Sequence, residues 1–229
     1  MNEIDTAKYS LEPGIPKLKE LIARKLEKRK NISHIDAETE IFVSVGCQEA
    51  FACSVFAVVA EGDEVLLPEP CFASHIVQVM QAGGKPIFVP LLEKKGWALD
   101  CEGIKKAITK KTKAIILCTP TNPTGAVFSE MEIREVAKIA IENDLVVITD
   151  ETYDFLTYDG IKHFSPASLP QLKDRIIMCG SFSKEYAMTG YRVGFAFAEE
   201  GMMDQILKVH DAIAICCPVI SQKGAIAAL

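Results

Sequence analysis

The sequence predicts an α/β fold, three layers (α/β/α) built around a seven-stranded, mainly parallel sheet. Three observations lead there. Short apolar runs rich in Val and Ile recur at 41–45, 64–67, 86–90, 113–118, 145–149, 175–179 and 193–198 without strict polar alternation. Strands of that kind are buried on both faces, which requires helices on either side of the sheet. Longer stretches with helical period lie between most of these runs, as crossovers between parallel strands require. The chain of 229 residues is also 49% hydrophobic with 14 Gly and 11 Pro, enough for a buried core and unlike disordered, collagen-like or low-complexity chains.

The first element is a helix over 16–30 (PKLKELIARKLEKRK), in which Leu18, Leu21, Ile22 and Leu26 form an apolar stripe. Seven Lys/Arg fill its other faces, interleaved with Glu20 and Glu27. Such a run reads as a solvated helix face in preference to a nucleic-acid surface. Further helical patterns cover 48–60, 72–82, 100–108 and 130–142. The closing GAIAAL stops in an apolar run with no cap or turn residue. No repeat and no Pro/Ser-rich linker divides the chain, so residues 1–229 are expected to form one domain.

Composition excludes several function classes. With 25 Lys+Arg against 31 Asp+Glu the net charge is -6, which offers no broad attraction to nucleic acid or anionic membrane. The longest apolar stretch, 50–60, is too short to span a bilayer, and no basic segment followed by an apolar one opens the chain as a signal peptide would. The eight cysteines (47, 53, 71, 101, 118, 179, 216 and 217) sit in or beside apolar runs without a C-x-x-C pair, as expected of reduced thiols in a cytoplasmic protein. Four scattered histidines (34, 75, 163 and 210) provide no metal-binding spacing.

In a parallel sheet, ligands gather at the carboxyl ends of the strands, and there the unusual residues collect. The run 41–45 is followed by Gly46-Cys47-Gln48, and 113–118 by Thr119-Pro120-Thr121-Asn122-Pro123-Thr124-Gly125. The run 145–149 leads into Asp150-Glu151-Thr152-Tyr153, and 175–179 into Gly180-Ser181-Phe182-Ser183-Lys184. Dinucleotide, P-loop, serine-hydrolase and zinc-protease fingerprints are absent. What remains is a lysine in a small-residue turn, a carboxylate on a buried strand end, and a helix start suited to an anion. Pyridoxal phosphate needs such a set: an amine for the Schiff base, an acid for the pyridinium nitrogen, and donors for the phosphate.

Through these residues the chain resembles the class I/II aminotransferases, fold-type I pyridoxal-phosphate enzymes, and within them the bacterial and archaeal aspartate/aromatic branch. The motifs are Tyr9-x-x-x-x-Gly14, Asn122-Pro123-Thr124-Gly125, Asp150-Glu151-x-Tyr153, Ser181-Phe182-Ser183-Lys184 and Gly190-Tyr191-Arg192. Each is weak alone, but together, in this order, they are specific. The resemblance implies that Lys184 is the Schiff-base lysine and later the base acting at the substrate α carbon. Asp150 would keep the pyridine nitrogen protonated; since a buried acid is costly unpaired, a cationic partner is expected for it. Asn122 and Tyr153 correspond to donors to the cofactor's 3′ oxygen, and Phe72 to the aromatic stacked on its ring. Gly46 and the N–H groups of Cys47 and Gln48 would form the phosphate cup, completed by Ser181 and Arg192. For Arg192 to reach it, the strand 193–198 must run antiparallel. Tyr9 would serve the phosphate of a neighbouring subunit, which implies a homodimer. Glu151 is given no role, and the effect of Cys71 and His75 is left open.

By the same resemblance the chain corresponds to the cofactor-binding large domain, and the family's N-terminal segment and C-terminal small domain, with its substrate-carboxylate arginine, lie outside it. The expected reaction is amino-group exchange between an amino acid and a 2-oxo acid. A truncated, non-catalytic cofactor-binding or dimerising domain, and a different reaction such as β C–S lysis or decarboxylation, share the same cofactor residues.

Overall fold

A computed structural model describes residues 6–229. Seven strands form one sheet: β1 (Ile41–Ser44), β2 (Glu64–Glu69), β3 (Lys85–Pro90), β4 (Thr112–Cys118), β5 (Val146–Asp150), β6 (Ile176–Ser181) and β7 (Gly194–Ala198), in the order β1-β7-β6-β5-β4-β2-β3. Strand β7 is antiparallel to both neighbours, β1 and β6, and the other pairings are parallel. The one antiparallel strand therefore stands where the sequence placed it.

Successive residues of a strand point to opposite faces, and this sheet has a buried layer on each. Ile41, Val43 and Val147 join a core with α1 (Pro16–Lys30), α4 (Cys101–Ala107), α5 (Glu130–Glu142) and α7 (Val219–Ala228). Phe42, Ile148 and Ile177 join a second core with α2 (Cys47–Val58), α3 (Ala73–Gln81) and α6 (Glu200–Ile213). The uninterrupted apolar runs follow directly from this double burial. Among the described residues no helix is long and apolar enough to cross a membrane.

Three features differ from the sequence reading. Strands β5 and β6 each run further than expected, so Asp150 and Ser181 are their last residues rather than the start of a loop. Helices α6 and α7 lie beyond the last element that the sequence pattern predicts. The apolar GAIAAL belongs to α7, whose buried Gln222 accepts the Ile15 N–H at 2.7 Å and donates to Cys217 O at 2.7 Å. The buried positions of α7 include Ser221 and Gln222 as well as Val219 and Ala225, so it shows no apolar stripe for periodicity to find.

The third difference concerns α1. Its basic residues are only partly solvated. Lys19 is buried and donates to Glu38 O at 2.7 Å, Lys25 pairs with Glu185, and Lys30, 8% exposed, pairs with Glu151 at 2.7 Å. Long cationic side chains can lie along apolar surface, and here their heads meet acids from distant parts of the chain that no local pattern announces.

Candidate active site

At the carboxyl ends of β4, β5 and β6 and beside the N-terminus of α2 lies a cavity of about 330 Å³. Its walls include Cys47, Gln48, Phe72 and Asn122. Asp150, Tyr153, Ser181, Lys184 and Arg192 also line it. Nine of the eleven singled-out residues thus converge from separate elements. Gly46 stands just behind the wall, and Tyr9 stands apart from it, 76% exposed.

The anion cup is built by backbone. Gly46 precedes α2 with φ 77° and ψ 165° and offers no side-chain cap. The first N–H groups of a helix have no partner within it, so Cys47 and Gln48 present theirs at the positive end of the helix dipole. Strand β7 presses closely from below: a Cβ on Gly194 would stand 2.4 Å from Cys47 N. The guanidinium of Arg192 lies against Gly46, where an added Cβ would be 2.4 Å from Nη2. Arg192 is itself left-handed, φ 55°, and its Nη1 donates to Thr189 O at 3.0 Å and reaches Ser183 Oγ at 3.5 Å. Ser181 Oγ accepts the Ser183 N–H at 3.0 Å.

Asp150 is 8% exposed, and its partner is His75, with Nε2 3.2 Å from Oδ2. The Thr152 N–H donates to Oδ1 at 3.0 Å, and Cys47 Sγ lies 3.6 Å from the same oxygen. Burial works to raise the Asp150 pKa, yet the hydrogen bond and charge of His75, with Thr152, hold it below the ordinary aspartate value. It is therefore a carboxylate at neutral pH. His75 Nδ1 is buried without a hydrogen-bond partner, so the ring's polar contact runs through Nε2 to Asp150. Phe51 stacks on His75 with centroids 4.1 Å apart, and Phe72 meets it edge-on at 5.5 Å.

Lys184 is exposed to the cavity, its Nζ 6.0 Å from the Tyr153 ring centroid. Burial, and then the charge of Asp150, raise the Tyr153 pKa, so the phenol keeps its proton and can donate. Burial also pushes the Cys47 thiol well above its usual range, with Asp150 adding to the effect, so it is no thiolate nucleophile.

Phe51, Thr152, Ser183 and Thr189 complete the wall together with His75, whose effect the sequence leaves open. His75 was detectable in principle: it lies one helical turn beyond Phe72, on the same face. Phe51 was not, because it reads as an ordinary apolar position of α2.

A sequence profile for aminotransferase class I and II matches residues 3–229. The chain belongs to this family. It is 42% identical over 221 residues to the aspartate aminotransferase of Pyrococcus abyssi, covering 96% of this chain and 57% of that protein. The aromatic aminotransferase structure from Pyrococcus horikoshii superposes with a TM-score of 0.93 at 39% identity, over 96% of this chain and 59% of the other. The N-succinyldiaminopimelate aminotransferase of Mycobacterium tuberculosis superposes with a TM-score of 0.94 at 33% identity, over 98% and 58%. The chain thus spans somewhat more than half the length of these family members.

Proposed function

We propose that the cavity binds pyridoxal 5′-phosphate and that the chain is the cofactor-binding large domain of an aminotransferase exchanging amino groups between amino acids and 2-oxo acids. The observation that carries this reading is the meeting, in one cavity, of the Lys184 amine, the buried ionised Asp150 and the anion cup at Cys47 and Gln48. The donor set fits the cofactor part by part. Lys184 would hold its aldehyde carbon, and Asp150 would hold a proton on its ring nitrogen. Asn122 and the Tyr153 hydroxyl would donate to its ring oxygen, Phe72 would cover its ring, and Gly46, Cys47, Gln48, Ser181 and Arg192 would surround its phosphate. The bound group would supply an electron sink for the negative charge left on the substrate α carbon.

The remaining work falls to this chain's residues. Lys184 Nζ, freed when the substrate amine takes its place, removes the proton from the α carbon and returns it one position away. Neutral Tyr153, 6.0 Å from that amine by its ring centroid, leaves Lys184 without a competing anion. Asp150, kept ionised by His75 and Thr152, holds the ring proton throughout. The exposure of Tyr9 away from its own cavity supports a homodimer in which it serves the neighbouring subunit. All eight cysteines are free, which supports a reducing, cytoplasmic setting.

Titration with pyridoxal phosphate tests the reading: a visible absorption band should form and be absent in Lys184→Ala. Identical spectra for the two proteins would refute the site. Aspartate, tyrosine or alanine should then bleach the band and a 2-oxo acid restore it. Binding without bleaching by any amino acid would instead make the chain a binding domain, and pyruvate release from cysteine conjugates would make it a lyase. Light scattering should return a dimer mass, and a strict monomer would remove Tyr9 from the site.

A further inference from the structure

The basic side of α1 faces the residues that adjoin the site. Lys25 and Arg29, one helical turn apart, both pair with Glu185, the neighbour of Lys184. Lys30 pairs with Glu151 at 2.7 Å and also with Asp154. Those acids follow Asp150 and Tyr153 directly. Three cations of one helix therefore grip the chain immediately beyond each of three cavity residues.

Apart from Arg29, whose side chain is 52% exposed, this grip is buried. The side chains of Lys30 and Glu151 are 5% and 0% exposed, and those of Lys25 and Glu185 are 10% and 11%. Glu151 Oε1 also accepts from Thr149 Oγ1 at 3.0 Å and Ser165 Oγ at 2.8 Å. Buried between two acids, Lys30 loses solvation, but their charges outweigh that loss and raise its pKa; Asp154 is correspondingly lowered against its own burial. His163 Nε2 lies 3.7 Å from Glu151 Oε2. Lys25 Nζ lies 4.7 Å from the Tyr186 ring centroid, within cation–π range.

Buried ion clusters are often no more stabilising than apolar packing of the same volume, and their best-attested use is to fix one geometry among several. Here two separate turns carry the reacting amine and the phenol that face each other across the cavity, and α1 is bonded to both. We propose that Lys25, Arg29 and Lys30 are positioning residues, setting the separation of Lys184 and Tyr153 through Glu185, Glu151 and Asp154. This rests on the pyridoxal-phosphate reading of the site, and the test separates the two.

Wild type, Lys30→Met, Lys30→Arg and Glu185→Gln are titrated with pyridoxal phosphate at a temperature where circular dichroism reports each as folded. The dissociation constant and the pH midpoint of the visible band are read. In Lys30→Met and Glu185→Gln the dissociation constant should rise about tenfold, with the midpoint moving up by about one unit. That is the direction expected when a hydroxyl donor to the deprotonated form is lost. Lys30→Arg should restore both values towards wild type. If Lys30→Met fails to fold, Glu185→Gln, at the more exposed end of the cluster, decides alone. Wild-type values in the folded variants would overturn the inference and leave a cluster that only stabilises the fold. No band in wild type would overturn the cofactor reading, and this inference with it.

Discussion

Replacing Gly46 by Ala tests the anion cup through its backbone. Gly46 has φ 77° and ψ 165°, a region essentially reserved for glycine, and holding alanine there costs about 1–3 kcal/mol. In a chain of this size each kcal/mol lowers Tm by about 2–4 °C, so a fall of roughly 2–12 °C is expected. The new methyl would also stand 2.4 Å from Arg192 Nη2 and 2.9 Å from its Cζ. Because the guanidinium ends a flexible side chain, it yields before the helix does, and Arg192 is displaced from the cup. Loss of a charge-assisted hydrogen bond, about 1.5–3 kcal/mol, corresponds to roughly a 10- to 100-fold weaker binding of a phosphate-bearing ligand. Thermal unfolding by circular dichroism and titration with pyridoxal phosphate measure the two effects. Gly190→Ala is the control, because Gly190 has open space around its Cβ position and no positive φ. Were Gly46→Ala to melt within a degree of wild type and bind the ligand equally well, both the strain and the Arg192 contact would be wrong.

Other predictions draw on separate parts of the fold. Ser129 caps α5 in a reciprocal capping box with Glu132; Ser129→Ala should destabilise by about 1 kcal/mol, visible as a lower urea midpoint at unchanged slope, and an unaltered midpoint would contradict it. His210 is buried, which lowers its pKa, but its bond to Glu49 and the nearby Glu12 carbonyl raise it overall. A raised folded value contributes stability that is full below the unfolded pKa and is lost as pH rises through the folded one. The wild-type advantage over His210→Gln in unfolding free energy should therefore be greatest near about pH 6 and shrink towards alkaline pH; an advantage growing with pH would refute it. Burial raises the thiols of Cys53, Cys118 and Cys179 above their usual range, so iodoacetamide at about pH 8 should spare them in the native chain and modify them in urea, as read by mass spectrometry.

The elements and most of the candidate site were legible because their signals are local. Double burial writes each central strand as an apolar run, and the polar residues that interrupt those runs at Gly46, Asn122, Asp150 and Ser181 mark the edge where strands of a parallel sheet deliver ligands. The termini of β5 and β6 were less clear, since Asp150 and Ser181 look like loop residues until their pairing with Cys118 and Gly194 keeps them in the ladder. Helix α7 escapes a periodicity reading because it buries Ser221 and Gln222 beside small apolar residues and so carries no apolar stripe.

Sequence alone therefore determined the sheet, its helical layers and the chemistry gathered along one edge, because periodicity and strand-end composition depend on neighbours a few residues apart. Only the tertiary structure decided that His75 is the partner of Asp150, 75 residues away, and that Lys19, Lys25 and Lys30 of α1 face inward. Lys25 meets Glu185 across 160 residues and Lys30 meets Glu151 across 121. An isolated Lys or Asp carries the same side chain whether it ends in water or against an opposite charge, and the path of the backbone around the sheet selects which.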